Sequence, residues 1–107
     1  TSLDLSNNIA LTNLWCVASE LTSLDLSNNI ALTNLFCLSN YQLTCLNVKN
    51  GNNTNFIHFH IEEGTNPNLT CIEVDDPNWA TQNRATSWST NNGITFSTNC
   101  NYPAGCF

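Results

Sequence analysis

Residues 1–14, TSLDLSNNIALTNL, return unchanged at residues 22–35, an offset of 21 positions. Self-identity at a fixed period is the signature of a repeat architecture, in which a short unit cannot bury its apolar side alone and must stack on its neighbours. Inside the unit lies a shorter pattern, LxxLxL. It begins at Leu11, Leu21, Leu32, Leu43, Phe56 and Leu69, and Leu3 and Leu5 belong to a clipped half-unit. Each half-unit reads as one short strand with its apolar residues pointing inward, followed by a turn.

Alternation of the half-units between two sides of a flattened coil predicts two parallel sheets. Strands one full period apart then become neighbours at about 4.8 Å. The outward residues of one sheet are Asp4, Asp25, Asn47 and Glu73, and those of the other are Trp15, Phe36 and His60. Counting nine from each start gives Asn29 and Asn40, with Asn8 in the clipped unit and Ser19 in another. An Asn amide both donates and accepts, so Asn8, Asn29 and Asn40 are expected to form a structural ladder that satisfies backbone groups where the chain leaves a strand.

The pattern LTxLDLSNNxALTxLxC resembles the leucine-rich repeat, in the short class of about 21 residues often called IRREKO-type, frequent in secreted and surface proteins of Bacteroidota. The phrases LNVKNGNNTNF (46–56), NPNLTCIEVDD (66–76) and FSTNC (96–100) are similar to the terminal turns and cap of such flavobacterial proteins. The resemblance implies a mainly β repeat solenoid with two short parallel sheets and an irregular, disulfide-stapled C-terminal cap. It also implies a bridge between Cys71 and Cys100, and secretion, commonly by the type IX route. Repeats are expected over 1–74, preceded by further ones, then the cap over 75–100 and a tail or linker over 101–107.

Six cysteines among 107 residues point to an oxidising, extracytoplasmic setting. Cys16 and Cys37 fall at inward positions and read as buried thiols. Cys45 and Cys106 have no assigned partner, and a bridge from Cys45 to Cys71 is the rival pairing. Eight acidic residues against Lys49 and Arg84 give a net charge of −6, which argues against nucleic acid or an anionic membrane as partner. No apolar run reaches the length of a membrane span.

Among candidate sites the aromatic stripe of Trp15, Phe36 and His60, flanked by Asn13, Asn34 and His58, is the leading one. Rings in a row either bind a glycan or protein ligand or serve as a cross-strand ladder stabilising the sheet. The acidic stripe reads as a solvated face more than as a calcium site, since the glycine-rich calcium-coil pattern is absent. His58, His60 and Glu62 have metal-ligand spacing, but the neighbouring strand offers only Asn34 and Phe36, so no metal and no cofactor is expected. With no nucleophile motif or phosphate loop, the chain is expected to be a non-catalytic recognition module, which the resemblance implies acts at a bacterial surface. The alternative is a structural spacer or self-associating subunit that stacks through open sheet edges.

Overall fold

The computed structural model describes residues 3–16, 20–37, 40–61, 68–83, 88–90, 94–103 and 106. The chain deposits its short strands alternately into two parallel sheets. One sheet holds β1 (Asn13–Trp15), β3 (Asn34–Phe36), β5 (His58–Ile61) and β7 (Trp88–Thr90) in that order. The other holds β2 (Ser23–Asp25), β4 (Cys45–Asn47), β6 (Cys71–Glu73) and β8 (Thr95–Ser97). Every strand is parallel to its neighbour, a direct result of each period repeating the same path.

The inward position of strands β2 to β6 points between the sheets. Leu24, Leu35, Leu46, Phe59 and Ile72 are buried there with the second apolar residue of each pattern, Leu26, Cys37, Val48, Ile61 and Val74. These residues form one contiguous core, which supplies the apolar burial that strands of three or four residues cannot achieve singly.

Turns are held by side chains. Asn29 Nδ2 donates to the carbonyls of Leu5 and Asn8 at 3.1 and 3.0 Å, and Asn50 Nδ2 to Asn29 O at 2.9 Å, so one column runs Asn8, Asn29, Asn50. Asn40 stands in the other column, where its amide donates to Cys16 O and contacts Cys37 Sγ. Asn50 was not foreseen, because it is the eighth residue counted from Leu43, and the ninth is Gly51. Gly51 has φ +75°, a conformation suited to glycine. Asn53 and Asp75 clamp the lengthened turn that follows: Asn53 N donates to Asp75 Oδ2, and Asp75 N donates to Asn53 Oδ1.

Residues 75–100, expected to be irregular, contain a helix and a fourth strand for each sheet. Helix α1 (Pro77–Gln82) starts where Asp76 accepts from the backbone N–H groups of Asn78 and Trp79, with proline in its first turn. The strands escaped notice because the LxxLxL pattern lapses after Val74, although Ile94 and Phe96 carry the inward phase.

Within the stretch 101–107, read as a tail or linker, Tyr102 and Cys106 return against the second sheet. Asn101 adopts a left-handed conformation (φ 56°) that reverses the chain, and Cys106 is bonded to Cys45. No helix among the described residues is long and apolar enough to cross a membrane.

Candidate functional site

The two sheets present very different outer faces. On the second, the register aligns Asp25, Asn47, Glu73 and Ser97. Their polarity serves the turns. Asp25 Oδ1 accepts from Ser27 N at 3.0 Å, Asn47 Oδ1 from Lys49 N at 2.9 Å, and Asp4 repeats the motif with Ser6. The Ser6 hydroxyl and backbone N–H hold the Asp4 carboxyl below the usual range. Asp4 itself lies outside any strand. Glu73 accepts from Cys100 N at 3.0 Å.

The returning chain then covers this face over β4 and β6, while Asp25 stays exposed. Cys71 is bonded to Cys100 and Cys45 to Cys106, with Cα separations of 5.9 and 6.0 Å. The Tyr102 hydroxyl accepts from Leu46 N at 3.2 Å and lies against Cys71 O, so that it bridges β4 and β6. Burial raises the Tyr102 pKa. Lys49 Nζ donates to Thr98 O at 2.9 Å. The sequence left the partner of Cys45 open, with Cys71 as the rival to the bridge that the resemblance implies; the structure bonds Cys45 to Cys106 and Cys71 to Cys100. Nothing in the sequence announced Tyr102.

The first sheet carries Asn13, Asn34 and His58 in one outward column and Trp15, Phe36 and His60 in the next. Trp15 and Phe36 stack with centroids 4.0 Å apart and planes 18° from parallel. Phe36 and His60 stack at 4.8 Å and 15°. The faces of these rings are therefore turned toward one another, and the stripe shows its edges to solvent. Edges carry the positive part of the ring quadrupole. The outer side of Trp15, which is 63% exposed, offers a ring face to a sugar or other flat group. Beside the rings, Asn13 and Asn34 each donate from Nδ2 to the preceding threonine hydroxyl, at 2.9 and 3.0 Å. Their carbonyl oxygens remain as acceptors.

His58 is exposed and its ring lies 5.5 Å from that of His60. Glu62, the third member of the metal-ligand spacing, lies outside the described residues. Among the described residues no group of three His, Cys, Asp or Glu side chains is placed to hold a metal ion.

Cys16 and Cys37 take part in neither disulfide and are buried in adjacent strand exits. Burial, and secondarily the neighbouring Cys16, pushes the Cys37 thiol up to about 12, and burial raises that of Cys16. Because the thiolate is the nucleophile, native protein at pH 8 should react with an aromatic disulfide reagent far more slowly than denatured protein, which should release both thiols. Fast labelling of the native protein would contradict this burial. A folded-state pKa above the ordinary 9.0 also means that the contribution of Cys37 to stability is complete below pH 9 and declines as pH rises toward about 12. Compared with known proteins, the chain matches no protein-family model, no curated protein and no solved structure.

Proposed function

We propose that this chain is a leucine-rich-repeat solenoid acting as a non-catalytic recognition module, secreted or displayed at a bacterial surface, that binds a protein or glycan through the outer face of its first sheet. The observation that carries this reading is the contrast between the two faces. One is stapled over by the returning chain, whereas the other presents three rings in line with two Asn carboxamides beside them. Aromatic side chains that remain accessible on a rigid sheet concentrate binding energy. The repeat identity of residues 1–14 and 22–35 supports the solenoid, and two disulfides are consistent with an extracellular protein.

Binding to an array of glycans and surface proteins, measured beside the double variant Trp15→Ser, Phe36→Ser, tests the proposal. The variant should lose at least about tenfold in affinity, since removal of a central aromatic anchor costs about 2 kcal/mol or more, while its strand content by circular dichroism is retained. Unchanged affinity with a lowered melting temperature would assign the rings to sheet stability alone. The second reading, a stacking structural subunit, draws on the open edge of β1 and predicts a particle size that grows with concentration.

A further inference from the structure

Cys16 and Cys37 directly follow β1 and β3 and take part in neither disulfide. Past the pairing of Trp15 with Phe36 the parallel ladder runs one residue further: Cys16 N donates to Phe36 O at 2.8 Å, and Cys37 N donates to His60 O at 3.1 Å. The two cysteines therefore stand opposite each other on neighbouring parallel segments, about 4.8 Å apart. Both point inward, 5% and 0% exposed, within the contiguous core. The Cys16 thiol is near enough to raise that of Cys37 electrostatically.

Side chains at matching positions of parallel neighbours project side by side, so the sulfurs keep about the strand spacing. A disulfide needs its sulfurs about 2.05 Å apart and its Cβ atoms about 3.5–4.5 Å apart, which this parallel placement opposes. A linear sulfur–metal–sulfur unit needs about 4.6 Å, twice a metal–thiolate bond of about 2.3 Å. Linear two-coordination is the habit of monovalent d10 ions, and soft thiolate ligands select Cu(I). Zn(II) takes four ligands, and among the described residues no group of three His, Cys, Asp or Glu side chains is placed to serve it.

We propose that Cys16 and Cys37 form a buried, two-coordinate site for a soft monovalent cation of the Cu(I) class. Binding forms two S–Cu bonds and breaks two S–H bonds, whose protons pass to solvent, and no electron is transferred. The resulting bis-thiolate complex carries one negative charge. Asn40 Nδ2 donates to Cys37 Sγ at 3.3 Å and also to Cys16 O, so a donor already stands where that charge develops in an apolar core. Both cysteines lie outside the loops closed by the two disulfides, and the ion ties together two turns that no disulfide joins. Cys16 keeps 5% exposure, which admits a bare ion while a bulky aromatic reagent is held off. His58 and His60 lie on the outward columns of the same sheet, so the two sets of ligands are separable. The site goes beyond the recognition reading and is independent of whether the aromatic face binds a ligand.

The experiment titrates the whole chain, its disulfides intact, with Cu(I) supplied anaerobically as the acetonitrile complex in competition with a chromogenic Cu(I) chelator. One ion should bind per chain with release of two protons, and X-ray absorption should show two sulfur neighbours and no nitrogen. Cys16→Ala and Cys37→Ala should each weaken Cu(I) binding by more than about a hundredfold, beyond the 10–100-fold that follows loss of a group merely supporting a ligand. His58→Ala with His60→Ala should leave the affinity unchanged. Circular dichroism checks that each variant folds, and the sulfur count around the ion in the unmodified chain decides the question without any variant.

Failure to take Cu(I) from the chelator, an affinity that survives either cysteine substitution, or nitrogen neighbours around the bound ion would overturn the proposal. A disulfide between Cys16 and Cys37 in protein purified under air would also overturn it, because the pair would then be a redox couple in place of a metal site.

Discussion

Phe59→Ala should remove about 3–5 kcal/mol of stability, the range for emptying a buried phenylalanine site. Phe59 is fully buried at the second position of β5, and its register places it between Leu35 of β3 and Trp88 of β7. The ring of Phe56 meets it edge-on at 5.6 Å. A core only two sheets thick, with inner faces contributed by every turn, has few side chains able to move into the space. Against a total stability of about 5–15 kcal/mol for a domain, the loss corresponds to a fall in melting temperature of at least about 12 °C. Ile57→Ala is the control. Ile57 is two residues away and 61% exposed, and its replacement should shift stability by no more than about 0.5 kcal/mol. Equal effects of the two substitutions in urea denaturation would refute a shared core between the sheets.

Opening the disulfides should have effects of similar size. The bridge from Cys71 to Cys100 closes a loop of 29 residues and that from Cys45 to Cys106 one of 61. Loop-closure entropy assigns them about 3.6 and about 4.3 kcal/mol, as upper values. Cys45→Ser with Cys106→Ser should therefore destabilise more than Cys71→Ser with Cys100→Ser. It should also free the segment that places Tyr102, leaving Leu46 N and Cys71 O without the hydroxyl. Tyr102→Phe isolates that second loss at about 1–3 kcal/mol, the cost of stranding buried backbone groups. Denaturation midpoints of oxidised and fully reduced protein that coincide would show that the staples contribute nothing.

The alternation of half-units into two sheets, and the outward columns headed by Asp25 and Trp15, were legible because a strand has period two and the LxxLxL phase persists from Leu11 to Val74. Legibility failed where side chains replaced the pattern. Asn50, Asn53 and Asp75 organise a lengthened turn by hydrogen bonds whose partners lie 21 or 22 residues away in the chain, and local spacing does not reveal such pairs. The same holds for the outer face of the second sheet. Asp25 and Asn47 looked like surface charge and polarity, but each binds the backbone two residues on, a local competition that Asp and Asn win at strand exits. For the aromatic stripe, the sequence indicated which rings align. It was silent on their orientation, because χ1 and χ2 are set by neighbours across the sheet, and it is orientation that turns the ring faces inward.

The two disulfides divide the molecule covalently. Everything from Cys45 to Cys106 lies within one closed ring of chain, whereas residues 3–37 hang from it as a linear arm. Tension applied from the N-terminal side can thus peel turns away singly until it meets the ring, where further extension stops. The aromatic stripe straddles this boundary, with Trp15 and Phe36 on the arm and His60 inside the ring. Any body gripping all three rings would bridge the peelable and the locked portions, and would thereby fasten the arm against mechanical stripping.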